Sequence, residues 1–224
     1  MKSPLDRDLI ISQQAQHYFA LGRYSLAANY FAECMCIGFE TVCLQFFEKE
    51  KKALKEYLEK RLDIITTKKR PSNGPQIQQI LLVTWLVELG LSKLNELKDV
   101  VERAEQLVQS LSERGDIHAL QSSSLAFQRA AEAEQLERED FKMFLEKWKD
   151  RMDRLTTYEL LTDHGMMAEY VYFATIVGDH EKVIEYYMRQ KEWNRALEAL
   201  DKQVRSFPSF HKSLNRLTHP KDKL

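Results

Sequence analysis

Glycine and proline are scarce in this chain, with seven and five among 224 residues. That excludes collagen-like and low-complexity architectures, and it leaves few places where a helix must break. β-branched runs are also rare, while Leu, Ala, Glu, Lys and Gln dominate. These residues lose least on entering a helix, so the chain reads as all-α. Charge imbalance is missing as well. A formal net charge of −1 argues against a dedicated nucleic-acid binder, which would present a strongly basic face. No apolar run is expected to approach the roughly 20 residues of a membrane span. The N-terminal MKSPLDRD has no apolar core of a signal peptide, so a cytoplasmic chain with indirect membrane association is expected.

Cysteine is limited to Cys34, Cys36 and Cys43. Paired Cys-x-x-Cys spacings are absent, and His17 is the only nearby fourth donor, so the three read as reduced core thiols on helices. Phosphate-cradling glycine loops, His-Glu-x-x-His and Gly-x-Ser-x-Gly are likewise missing. The six histidines are scattered: His164 reads as a helix cap and His180 as a turn cover. Carboxylates alternate with Lys and Arg in ordinary helix-face pairs. The sequence therefore assigns no catalytic, cofactor-binding or metal-binding residue and predicts no enzyme activity.

What is present is a repeated hairpin pattern. Leu21-Gly22-Arg23-Tyr24-x-x-Ala27-x-x-Tyr30-Phe31 aligns with Val177-Gly178-Asp179-His180-x-x-Val183-x-x-Tyr186-Tyr187. Gln190-Lys191-Glu192-Trp193-x-x-Ala196-x-x-Ala199-Leu200 is a third copy without the glycine. Glycine accepts a left-handed turn, an aromatic two residues on covers it, and a small residue lets backbones approach. Each hairpin needs neighbours to cover its apolar stripe, so copies of one turn point to an α-solenoid of stacked antiparallel hairpins. Gly22, Tyr24, Ala27, Gly178, His180, Val183, Trp193 and Ala196 are the structural repeat positions.

Along the chain, helices are expected at Asp6–Leu21 and Tyr24–Cys36, with Gly38 as the C-cap, then at Thr41–Phe47 and Lys51–Ile65. A polar loop near 68–75 carries Lys68, Lys69 and Arg70, which reads as a solvated connection before a lipid contact. Gln76–Leu97 is apolar nearly all round and is expected to be a buried spine, with Gly90 allowing close packing. A charged insertion or long surface helix follows near 98–140, broken or capped at Ser122-Ser123-Ser124. Its apolar seam looks too short for a coiled-coil arm. Between Gly165 and Gly178, the residues Ala168, Tyr172, Thr175 and Ile176 read as the buried face. After Gly178, the residues Val183, Ile184, Tyr187 and Met188 do. The solenoid is expected to span 1–203, with a divergent, poorly ordered tail at 204–224.

Ala15–Phe31, the helix around Thr84–Leu89 and especially Tyr158–Leu200 resemble the central, clathrin-heavy-chain-type repeats of the vacuolar protein sorting-associated protein 18 family, the class C sorting proteins. The resemblance covers roughly residues 5–100 and 138–203. It implies a scaffold segment of the HOPS and CORVET tethers of late endosomes, lysosomes or vacuoles. The partners it implies are the other class C subunits, with indirect links to SNAREs and Rab GTPases, peripheral membrane association, no nucleic acid and no cofactor. The family's β-propeller and Cys/His-rich RING domain have no counterpart in these residues, so no zinc or ubiquitin-ligase role of that RING carries over. The same hairpin grammar also serves coat and intraflagellar-transport scaffolds.

Overall fold

A computed structural model describes residues 4–67, 74–114 and 117–206 of the chain. Among them lie ten α-helices and no strand. The first four are α1 (Pro4–Ala20), α2 (Tyr24–Glu33), α3 (Phe39–Phe47) and α4 (Lys51–Thr67). Two long helices follow, α5 (Gly74–Arg114) and α6 (Ile117–Trp148). After a 3-10 turn at Lys149–Arg151 come α7 (Arg154–Asp163), α8 (Met167–Ile176), α9 (His180–Arg189) and α10 (Trp193–Ser206). Packing runs mostly between neighbours. α1 lies on α2, α2 and α3 on α4, and α4 on α5. At the other end α7 lies on α5, α8 on α7 and α6, α9 on α8, and α10 on α9.

The N-terminal stack is joined by aromatic rings. Phe19 meets Phe46 edge-on at 5.3 Å between centroids, and Phe31 meets it at 5.8 Å. Tyr57 continues the row to Phe39 at 6.3 Å, and Phe39 reaches Trp85 of α5 at 6.4 Å. Buried Ala27, Ala28 and Ala32 let α2 approach its neighbours closely. Offset and edge-on ring pairs add about 0.5–1.5 kcal/mol each beyond area burial, so the row favours one stacking geometry over a sliding one.

The region after Gln76 differs from the sequence expectation. The spine does not end near Leu97 but continues without a break to Arg114, a helix of 41 residues and about 60 Å. Ser122-Ser123-Ser124 does not interrupt α6. α5 and α6 form an antiparallel pair, and each carries a heptad-spaced stripe of buried or half-buried residues: Leu94, Leu97, Val101, Ala104, Val108 and Leu111 on α5, and Leu120, Ser124, Phe127, Ala131, Glu134, Arg138 and Phe141 on α6. The 98–140 region is therefore an arm of two long paired helices. On α5 five of the six positions are Leu or Val, whereas on α6 Ser124, Ala131, Glu134 and Arg138 interrupt the stripe and hide its period.

Three further expectations shift. Gly38 is not a C-cap: α2 ends at Glu33, and Gly38, at φ −61°, precedes the first residue of α3. Cys34 and Cys36 consequently sit in the link between the helices, and only Cys43 is helical. The buried face of α8 is Glu169, Val171, Phe173 and Ala174, while Ala168 and Thr175 are exposed; on α9 Met188 is exposed. The spine is buried from Leu82 to Leu94, but Ile77, Ile80 and Leu81 at its start remain exposed. One 38-residue stretch, Ile77–Arg114, is long and apolar enough by composition to cross a membrane, contrary to expectation, although half of its most apolar window is buried inside the fold. Lys68, Lys69, Arg70 and the tail from 207 lie outside the described residues, and α10 extends three residues past the expected end at 203.

Gly90 sets the spacing of the arm's base. A methyl group there would lie 2.6 and 2.8 Å from ring carbons of Phe141, itself buried between the helices. Gly90→Ala is expected to lower stability by about 1–3 kcal/mol in chemical denaturation, because overpacking outweighs the gain of about 1 kcal/mol in helix propensity.

Candidate functional site: repeat turns and the anchored arm

Four turns among the described residues share one geometry. Gly22, Gly165, Gly178 and Lys191 take φ of 71°, 67°, 73° and 60°. At each, the positive-φ residue donates its N–H to the carbonyl three residues back. The next residue donates to the carbonyl five back, as in Arg23→Tyr18, Met166→Leu161, Asp179→Ala174 and Glu192→Tyr187, at 2.8–2.9 Å. This is the Schellman closure, which satisfies the last carbonyls of one helix and aims the chain back antiparallel. The residues before the next helix repeat as well: Arg23, Met166 and Asp179 lie at φ −86° and ψ 66–72°. Lys191 shows that the glycine-free copy keeps the left-handed turn, at the steric cost a side chain carries there.

The repeat positions occupy distinct places. Ala27, Val183 and Ala196 are buried at the equivalent step of α2, α9 and α10. Tyr24 packs edge-on against Phe19 at 5.2 Å, covering its turn. His180 is half-buried, whereas Trp193, the third aromatic, is 58% exposed. The Gly165 turn is a fourth copy that sequence alignment missed, because Met167 and Tyr170 stand where the others carry an aromatic and a small residue. The left-handed glycine was its only signal.

Two polar clusters fasten the C-terminal hairpins to the arm. In the first, Glu169 of α8 is only 1% exposed, and Arg138 of α6 bonds its Oε1 while holding Glu134 Oε1 at 2.5 Å. Burial pulls the Arg138 guanidinium down, but the two carboxylates outweigh this and hold it charged. The charged stretch that looks like a solvated face thus directs two of its charges inward. In the second cluster, His164 closes α7 as its C-cap and reaches α5. Asn95 Nδ2 lies 2.9 Å from His164 Nδ1, while His164 Nε2 lies 3.0 and 3.1 Å from the Glu88 carboxylate oxygens. With the Asn95 amide donating to Nδ1, the neutral ring carries its proton on Nε2 and donates it to Glu88. No hydroxyl or thiol contacts that ring among the hydrogen bonds of the described residues, so the cluster positions helices and holds no nucleophile–base pair.

The cysteines divide into two environments. Burial, then the Glu40 carboxylate, pushes the Cys43 thiol up to about 12, and it stays protonated in the core. Cys34 is buried at the end of α2, and burial followed by the Cys36 contact raises its thiol as well. Its sulfur lies 3.1 Å from that of exposed Cys36.

This chain matches the family model described as VPS18, alpha-solenoid domain, first half, over residues 2–179. It is 33% identical over 200 residues to the vacuolar protein sorting-associated protein 18 homolog of Danio rerio, covering 87% of this chain and 17% of that relative. With vacuolar sorting protein 18 of Arabidopsis thaliana it shares 30% identity over 203 residues, 90% of this chain and 18% of the relative. With the vacuolar membrane protein pep3 of Schizosaccharomyces pombe it shares 28% over 214 residues, 95% of this chain and 21% of the relative. The chain spans about a fifth of the length of these relatives.

Two expected outcomes test the geometry. Arg138→Ala leaves the buried Glu169 unpaired and is expected to cost about 3 kcal/mol in urea melts, while Arg138→Met with Glu169→Leu regains most of it. Asp153 caps α7 by accepting the Thr156 N–H at 2.9 Å, and this bond together with that of the Thr156 hydroxyl holds its carboxyl below the usual range. A depressed folded-state pKa stabilises above the unfolded value of about 3.9, and the benefit vanishes as pH falls through the folded one. Asp153→Ala is therefore expected to cost about 1 kcal/mol at neutral pH and progressively less below pH of about 4, read from paired denaturation curves.

Proposed function

This chain belongs to the VPS18 family, and we propose that it acts as a structural scaffold segment of an endosomal and lysosomal membrane tether of the HOPS and CORVET type. In that role it spaces and joins other class C subunits during vesicle docking, fusion and late endosome-to-lysosome transport, without catalysing a reaction. Its links to SNAREs and Rab GTPases run through those subunits, and its place is the cytoplasmic face of late endosome, lysosome or vacuole membranes, held peripherally. The names of the relatives, which describe vacuolar sorting and a vacuolar membrane protein, favour this setting.

The observation that carries the reading is the run of contacts. Among the described residues, helix pairs pack mostly on their neighbours along the chain, as expected of a solenoid that conveys position between distant partners. Its outer helices keep apolar side chains in solvent. Leu9 and Leu21 are 57% exposed at one end, and Trp193, Leu197 and Leu200 share the outer face of α10 at the other. Faces of this kind suit stacking against further helices.

Pairwise capture of the purified chain by each of the other class C subunits tests the proposal. At least one is expected to be retained, and the charge-introducing pair Trp193→Asp and Leu197→Asp is expected to weaken retention at the α10 end at least tenfold while far-ultraviolet helicity is unchanged. Failure of every subunit to bind the unaltered chain would overturn the reading.

A further inference from the structure

We propose that Asp8, Cys34 and Cys36 form a binding site for a thiophilic divalent cation of the zinc class, set between α1 and the link that follows α2. The Asp8 carboxylate oxygen and the two sulfurs all lie within 4.8 Å of one another. Zinc–sulfur bonds of about 2.3 Å at a tetrahedral angle separate two sulfurs by about 3.7 Å. The present 3.1 Å between Cys34 and Cys36 therefore needs a small opening, within reach of side-chain rotation. Two thiolates and a carboxylate are the soft-plus-hard donor set that zinc accepts, and three protein ligands leave a fourth position for water.

The donors are supported from behind. Met35 N–H donates to both Asp8 oxygens at 2.9 and 3.1 Å, which turns the carboxylate toward the link. Arg61 of α4 donates to the carbonyls of Ala32 and Cys34 at 3.0 and 3.2 Å, fixing the backbone that carries the cysteines. Outer partners of this kind set ligand orientation in metal sites. Charge is consistent as well. The deprotonated ligands carry −3, a divalent ion reduces this to −1, and the Arg61 guanidinium beside the link offsets the remainder. Asp8 lies 26 residues before Cys34, beyond any spacing rule, and this is why the cysteine pattern alone points to core thiols. The site would clamp the first helix of the stack to the end of the second, so that binding of the ion stabilises the folded chain.

Cobalt(II) titration of the reduced, purified chain tests the site without a named biological ligand. One equivalent is expected to give a thiolate-to-cobalt charge-transfer band that zinc displaces. Cys34→Ser and Cys36→Ser are each expected to abolish the band. Asp8→Ala is expected to weaken binding at least tenfold, and Cys43→Ser to leave it intact. Because a serine variant can misfold, the unaltered chain supplies an independent readout: zinc should slow alkylation of Cys36 at least tenfold under mass spectrometry. The absence of a thiolate band, its survival in both serine variants, or unchanged alkylation with zinc would each overturn the proposal, as would reduced chain that binds cobalt only through non-thiolate donors.

Discussion

The seat of the Phe141 ring on Gly90 governs how α5 and α6 approach, and much of the architecture depends on that approach. Gly90 has no side chain to fend off the ring, so the two long helices close at their base, where Leu94 and Leu145 are fully buried beside them. The same helix pair receives the N-terminal stack through α4 and the C-terminal hairpins through α7 and α8. A wider separation there would displace both stacks relative to the arm, because packed interiors resist small changes of volume.

Beyond that base the arm has no third layer. Between Leu94 and Phe141 no described residue is fully buried, and Ala104 and Ala131 supply contact surface without much apolar area. A two-helix unit of this kind holds together by close approach and register more than by bulk burial. Polar clusters then fasten it. Arg138 and Glu169 tie the arm to α8, and the His164 ring spans from α7 to Glu88 and Asn95 of α5. Burying the Arg138–Glu169 pair costs desolvation, so that contact favours one docking arrangement more than it adds net stability.

The framework resulting from these contacts suits a protein whose work is placement. One turn geometry, used four times among the described residues, sends successive helices back along each other, and Leu9 of α1 and Trp193 and Leu197 of α10 keep apolar surface exposed. The proposed ion site lies at the far end from α10, where it would firm the first hairpin of the stack. The chain belongs to a family of vacuolar sorting proteins and spans about a fifth of the length of the relatives it matches.

Local chemistry was legible in the sequence alone. The helical composition, the left-handed glycines at Gly22 and Gly178 and the apolar middle of α5 all depend on residues near in sequence, where propensity and period act directly. The repeat copy at Lys191 was also readable, because its neighbours keep the pattern without the glycine. Tertiary structure decided the rest. The region near 98–140, expected as a charged insertion or long helix, is made of two long helices, and their pairing shows only when the half-buried Leu and Val of α5 and the mixed stripe of α6 are brought together. The buried face of α8 turned on Glu169, a residue that seems solvent-facing until Arg138 arrives from 31 positions away. Asp8 and the Cys34–Cys36 pair likewise become one cluster only when α1 folds against the end of α2, since no local period links groups brought together across a hairpin.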